Sequence, residues 1–202
     1  MQIGIIGNGS IASGLGAGWI RAGHQVRLTG RDPARVAAAA ERIGAVPVEP
    51  TALAEGCDAV LLAVRWEGVP EAIDLVGRSL HGVPLIDPTN AVEHGVGRLL
   101  TDRSAAEAIA DRSGAHVVKG FHLFPADQWA SPAAPARRVV VPLAGDDDRA
   151  LAAASQLVRD LAAEPVVVGG LDRARQLEEA AGFVIALAFA GTDPQAAIPT
   201  VG

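Results

Sequence analysis

The chain has few rings, little sulfur and almost no amines. Its 202 residues include no Tyr, one Met, one Cys, three Trp and four Phe, and Lys119 is the only Lys. With Cys57 alone, an internal disulfide framework and a cysteine-rich metal site are both excluded. Basic side chains number 17 against 23 acidic ones, a formal net charge of −6, which argues against a protein that coats nucleic-acid phosphate. Long apolar runs are also missing. The longest, AAGFVIALAFA at 180–190, falls well short of the roughly 20 residues that cross a bilayer. The opening MQIGIIG runs straight into an apolar strand, without the basic start and cleavage site of a signal peptide. No H-E-x-x-H, C-x-x-C, G-x-S-x-G or P-loop string occurs. These absences lead to the expectation of a soluble, cytoplasmic protein with neither nucleic-acid nor membrane partners.

What is abundant is small and aliphatic. Half of the residues are apolar and only 20% are charged, the balance of a buried parallel sheet covered by Ala-rich helices. Strand and helix patterns alternate from the first residues. QIGIIG, HQVRLTG, DAVLLAV, VPLID, AHVVKG, RRVVVPLAG and EPVVVG read as strands. Helices are expected at 10–22, over RDPARVAAAAERIGA, VPEAIDLVGRSL, GRLLTDRSAAEAIADR and DDDRALAAASQLVRDLAA, and from about Leu171 to Ala190. Asp32 sits at an N-cap position with Pro33 as the first helical residue. Asp146, Asp147 and Asp148 resemble a metal cluster but head a helix, where acidic residues suit the dipole. The alternation predicts an α/β, Rossmann-type, doubly wound and mostly parallel sheet with a short helical C-terminal extension. The expected division is a nucleotide-binding domain over 1–170 and a C-terminal helix and tail over 171–202. The longest irregular stretch, Phe121 to Ala136 with Pro125, Pro132 and Pro135, reads as a polar, exposed loop.

The strongest local signal is GNGSIA, comprising Gly7, Asn8, Gly9, Ser10, Ile11 and Ala12, between the first strand and the first helix. Gly7 permits a tight turn, Gly9 allows a pyrophosphate to approach the backbone, and Ala12 lets helix and sheet pack closely. The anion would then rest at a helix N-terminus, among free N–H groups and the positive end of the dipole. The second strand ends RLTGRDPAR. Thr29, Arg31 and, one helical turn on, Arg35 offer a 2′-phosphate reader, so the expected dinucleotide is NADP(H). Asp32 suits the cap better than the ribose-binding role of an NAD site.

In such sheets the ligand crosses the carboxyl ends of the strands. That path includes Ala63, Val64 and Arg65, with Trp66 either on it or covering the next helix. Asp87 and Asn90, in LIDPTNAV, lie on the same rim. VVKGFHLFPADQW, at 117–129, gathers two Phe, one Trp, one His and the sole Lys where nicotinamide would arrive. His122 is the candidate polar residue for a hydride acceptor, with Phe121, Phe124 and Trp129 as candidate walls and Ala126 N–H as a donor. The alternative is that these rings are core packing. Lys119, on the strand before them, is read as ordering the loop.

GNGSIA, TGRDP, VRWEGV, DRSAAE, GFHLFPA, AGDDD and GGLDRARQLE together resemble the NADPH-dependent deazaflavin (coenzyme F420) reductase family over nearly the whole chain. The resemblance implies a Rossmann domain with a short C-terminal portion, commonly homodimeric, exchanging hydride between NADPH and coenzyme F420. It implies 2′-phosphate contacts from Thr29 and Arg31. It also places His122, Pro125 and Ala126 in a loop at the nicotinamide–deazaflavin junction. Archaeal-type members resemble G-G-T-G at the phosphate turn and are Pro-rich after the fifth strand. This chain has GNGSIA and IDPTNAV. IDPTN and VVKGF look more like the cytosolic domains of six-transmembrane metalloreductases, which pass hydride to a flavin.

The expected function is therefore an NADP-dependent oxidoreductase passing hydride to a deazaflavin as the small-molecule acceptor. Alternatives are another acceptor (a flavin such as FAD or FMN, an imine or an activated alkene) or a catalytically silent NADP-sensing module. An imine or alkene would need a proton donor, and His122 is the evident one. GFVIALAFA, apolar around most of its helix, points to a homodimer through the C-terminal helix.

Overall fold

The computed structural model describes residues 1–93, 95–130 and 138–198. Among them, eight strands form one sheet: β1 (Gln2–Ile6), β2 (Gln25–Thr29), β3 (Val46–Pro47), β4 (Ala59–Leu62), β5 (Pro84–Asp87), β6 (His116–Lys119), β7 (Val140–Gly145) and β8 (Glu164–Gly169). Their spatial order is β3-β2-β1-β4-β5-β6-β7-β8. All neighbours run parallel except β6 and β7, which are antiparallel. The first six strands thus follow the doubly wound 3-2-1-4-5-6 order, whose reversal lies between β1 and β4.

Helices α1 (Ser10–Arg21), α2 (Pro33–Ile43), α3 (Val69–Val76), α4 (Ala105–Ser113), α5 (Ala126–Ala130), α6 (Asp148–Arg159) and α7 (Ala174–Phe189) cover the sheet. The two-residue period of a strand sends alternate side chains to opposite faces, and β4 shows the result. Ala59 and Leu61 join a core cluster with residues of α1, α2, α5 and α6. Val60 and Leu62 join a second cluster with residues of α3, α4 and the start of α7. Helix ends follow local chemistry. Asp32 caps α2 by accepting from the N–H groups of Ala34 and Arg35, with Gly44 in the left-handed conformation at its C-terminus. Ser104 and Glu107 form a reciprocal capping box on α4. Asp147 caps α6, while Asp146 accepts from Leu171 N–H. The acidic run at 146–148 therefore serves helix and turn ends, and among the described residues no group of His, Cys, Asp and Glu could hold a metal ion.

Two expected segments differ. The helix expected over GRLLTDRSAAEAIADR is limited to α4. Before it, Leu99 pairs with Val92 in an isolated bridge, and the chain turns through Gly95 and Gly97 with positive φ. Gly97 also meets α7 at Gly182 so closely that a Cβ on either would strike the other's carbonyl. The stretch after β6 is not an exposed polar loop. Phe121, His122 and Trp129 are buried there, and 126–130 form α5, packed across α1. The rings supply the apolar surface that lets a Pro-containing segment fold inward. Pro132, Pro135 and Ala136 lie outside the described residues.

Candidate functional site

A cleft of about 470 Å³ opens at the carboxyl ends of β1, β2 and β4, on the switch side of the sheet. Gly7, Asn8 and Gly9 line it, as do Arg31, Arg35, Ala63, Val64 and Arg65. Eight of the residues anticipated for the cofactor thus converge from three separate connections.

The glycine turn is shaped by two different constraints. Gly7 has φ +116°, and a Cβ there would lie 2.2 Å from the Ala63 carbonyl oxygen, so a side chain is excluded by both backbone strain and contact. Gly9 is different: nothing lies within 4 Å of where its Cβ would stand. That position is open, and Gly9 lines the cleft. Gly9 is also the N-cap of α1, brings no side-chain acceptor, and is followed by a first turn without acidic residues. Ser10, Ile11 and Ala12 form that turn, and their N–H groups and the dipole of a 12-residue helix face outward for an anion. A pyrophosphate fits this cradle. Ala12 itself is buried against the sheet, as close helix packing requires.

The three residues expected to read a 2′-phosphate are not all brought together. Arg31 and Arg35 reach the cleft, but Thr29 does not. It is buried, and its hydroxyl donates to the Val48 carbonyl at 2.9 Å. The last residue of β2 turns its side chain toward the connection to β3, so Thr29 is a structural residue here. Asp32 Oδ1 is taken by two N–H groups of α2, which leaves it poorly placed to read a ribose hydroxyl. Glu67 and Glu71 also line the cleft, and neither was anticipated. Their only sequence signal is an acidic residue within VRWEGV, Glu67, and another in the first turn of the helix that follows, Glu71. Trp66 packs against the second core cluster rather than lining the cleft.

Further along the rim, at β5 and β6, the structure closes. Lys119 is completely buried and pairs with Asp87 Oδ2 at 3.0 Å and Glu178 Oε1 at 2.9 Å, both also completely buried. Its ammonium donates in addition to the Thr89 carbonyl. Asp87 Oδ1 accepts from Thr89 N–H, and Glu178 accepts from the N–H groups of Ala105 and Ala106 at the start of α4. Three charges taken out of water are tolerated because each is met by opposite charge or N–H donors. Asp87 is therefore spent on this ion cluster, and Lys119 ties β5, β6, α4 and α7 together rather than ordering the following loop alone. Glu178 was missed because nothing in GGLDRARQLE marks one of its acidic residues as buried.

His122 lies beside that cluster. Asn90 Nδ2 donates to its carbonyl at 2.8 Å, which joins the ends of β5 and β6. Both ring nitrogens of His122 are buried without a hydrogen-bond partner, as are Asn90 Oδ1 and Thr89 Oγ1. Burial, reinforced by the Lys119 cation, lowers the His122 pKa from 6.5 to about 3, against an opposing contribution from the Leu177 backbone. The ring is thus neutral at ordinary pH, which removes the imidazolium a strong proton donor would need.

The rings divide between core and rim. Phe121, with φ 61°, stands edge-on to Trp19 and Trp129 at 5.9 and 5.3 Å between centroids. Phe121 and Trp129 are core, not acceptor walls. Only Phe124, packed edge-on against Trp129, is part-exposed. Pro125 is exposed and Ala126 opens α5. Neither they, His122 nor Asn90 line the nucleotide cleft.

Residues 2–91 match the family described as NADP oxidoreductase, coenzyme F420-dependent. The metalloreductase STEAP3 of Rattus norvegicus is 29% identical over 181 residues, covering 88% of this chain and 36% of its own. The chain spans little more than a third of the length of the curated relatives it matches. Among solved structures, a candidate F420-dependent NADP reductase of Arthrobacter sp. FB24 superposes with a TM-score of 0.81 at 21% identity, over 95% of this chain and 96% of that one. An imine reductase of Streptomyces aurantiacus superposes with a TM-score of 0.69 at 16% identity, over 95% of this chain and 64% of that one. At such identities the superpositions establish the fold. Among the described residues no helix is long and apolar enough to cross a membrane. Over residues 2–91, which hold the glycine turn and the strands around it, the chain is similar to the NADP oxidoreductase family of the coenzyme F420-dependent type.

Proposed function

We propose that the protein is an NADP-dependent oxidoreductase that exchanges hydride with a deazaflavin coenzyme. The observation that carries the nucleotide half is the cleft itself. A side-chain-free helix N-terminus and two arginines converge on a volume suited to the adenosine and pyrophosphate end of a dinucleotide. In the bound state NADPH would supply a hydride from nicotinamide C4. The chain's own contribution is to hold the diphosphate on Gly7–Ala12, meet the 2′-phosphate with Arg31 and Arg35, and lead the nicotinamide past Ala63–Arg65 toward β5 and β6.

The acceptor half rests on what the rim offers there. Hydride transfer to a deazaflavin ring carbon needs alignment rather than a strong acid, the remaining proton coming from solvent. A neutral, buried His122 with Asn90 and Thr89 beside it suits positioning. Reduction of an imine would draw on an acid that this ring does not supply. A flavin acceptor makes the same modest demand as the deazaflavin, and the resemblance of the matched family favours the latter.

The test is direct. The protein is mixed with NADPH and either coenzyme F420, FMN or a cyclic imine, and loss of nicotinamide absorbance is followed. Oxidation with F420 well above the other two supports the reading. Oxidation with FMN or imine alone overturns the acceptor assignment, and NADPH binding without any oxidation points to a sensing module.

We also infer that two copies associate through the outer half of α7. Phe183 is 51% exposed, with Val184, Ile185 and Leu187 only part-covered. An apolar surface of this kind in water favours a symmetric partner. A monomeric mass by light scattering at micromolar concentration would remove this inference.

A further inference from the structure

The cationic end of the cleft carries its own anion. Arg31 Nη1 donates to Glu71 Oε2 at 2.7 Å, with the two side chains 70% and 59% exposed. Arg31 belongs to the connection after β2, whereas Glu71 lies in the first turn of α3. The pair therefore bridges two walls of the cleft, and both residues line it. The other cations differ. Arg35 faces the capping carboxylate of Asp32 at 3.5 Å, and Arg65 has no ion pair among the described residues. Three basic and three acidic side chains line the cleft (Arg31, Arg35, Arg65; Asp32, Glu67, Glu71). The site is not a surplus of positive charge waiting for phosphate.

Resting on the NADP reading, we infer that Glu71 is a specificity-determining residue that occupies the place of the 2′-phosphate on Arg31. A carboxylate and a phosphate present oxygen acceptors of similar spacing to a guanidinium fork. An exposed pair of this kind is weak enough to exchange. Binding of a 2′-phosphorylated nucleotide must release Arg31 from Glu71, and the freed carboxylate then stands close to a dianion. Both effects act against NADPH, and neither acts on NADH, whose ribose carries only a hydroxyl. Glu71 thus sets how far the site prefers NADPH, while Arg31 sets that it does.

Titration of the full chain with NADPH and with NADH, followed by nicotinamide fluorescence, separates the possibilities. Glu71→Gln is expected to tighten NADPH roughly threefold to tenfold and to leave NADH within about twofold. Arg31→Ala should weaken NADPH alone, and Glu71→Gln added to Arg31→Ala should give a smaller gain than it gives in the unaltered chain, because only the repulsion of the 2′-phosphate is then relieved. If Glu71→Gln leaves NADPH affinity unchanged while Arg31→Ala weakens it, the inference is overturned and the NADP reading stands. Equal tightening of both nucleotides also overturns it, since Glu71 would then act only through the general field. If Arg31→Ala weakens neither nucleotide selectively, the NADP reading itself fails.

Discussion

Two stretches of the same sheet rim solve opposite problems. Around β1, β2 and β4 the strand tips end in small residues, an unblocked helix N-terminus and exposed charges, and the space between them is open. Around β5 and β6 the tips end in Lys119, Asp87 and, from α7, Glu178, all sealed from water. The open part presents backbone N–H groups and exchangeable surface pairs, which cost little to leave hydrated. The closed part holds charge that has lost its hydration and is therefore rigid, since any rearrangement leaves an ion unpaired. Under the proposed function, the open part would grip the nucleotide and the closed part would be a fixed floor beside it.

The comparison breaks first, and most severely, at Lys119. Lys119→Met should lower folding stability by about 3–5 kcal/mol, the cost of stranding buried carboxylates. Urea denaturation checks this, and a loss below about 1 kcal/mol would mean that the buried ion cluster adds little to stability. On the open side, Gly7→Ala should cost about 1–3 kcal/mol through positive-φ strain, with the contact against Ala63 in addition. Gly9→Ala, made in parallel, should leave the urea midpoint unchanged and weaken NADPH binding, because its Cβ enters free space reserved for the ligand. Equal midpoints for the two variants would show that the turn is not strained as described.

The closed side also has a pH signature. The folded-state pKa of His122, about 3, lies below its ordinary 6.5. Between those values the unfolded chain binds a proton that the folded one does not. This group's contribution is fully present above pH 6.5 and is lost as pH falls toward 3, by up to about 1.4 kcal/mol per pH unit. His122→Leu should flatten that part of the stability profile, as read from urea midpoints at stepped pH. An unchanged slope would show that carboxylates alone set it. The smallest effect is expected from Thr29→Val. Losing the bond to Val48 should cost about 1 kcal/mol of stability, while the ratio of NADPH to NADH affinity stays the same. A fall in that ratio would restore Thr29 as a phosphate reader.

The gap between sequence and structure runs along the same division. The open half was readable because its parts are local. Gly7, Gly9 and Ala12 act within one turn, and Asp32 with Pro33 signals the start of α2 within four residues. Arg31 and Arg35 follow directly from the end of β2. Thr29 points away from the cleft because the direction of a strand's last side chain depends on where the neighbouring connection runs. The closed half misled in a more instructive way. The gathering of Phe121, His122, Phe124 and Trp129 was visible, but the same apolar surface serves a ligand wall or a core. Packing of α5 on α1 decided for the core in the case of Phe121 and Trp129.

By itself the sequence determined the alternation of strands and helices, hence the doubly wound sheet, together with the caps and the phosphate turn. Each of these rests on spacing and on residue preferences acting over a few neighbours. Only the tertiary structure decided that Asp87 faces Lys119 across a strand pair, that Glu178 arrives from a helix 59 positions further on, and that Arg31 reaches Glu71 over the cleft. Those meetings depend on strand register and on which way a side chain leaves its element. No local preference encodes either; both are fixed when distant segments exclude water together.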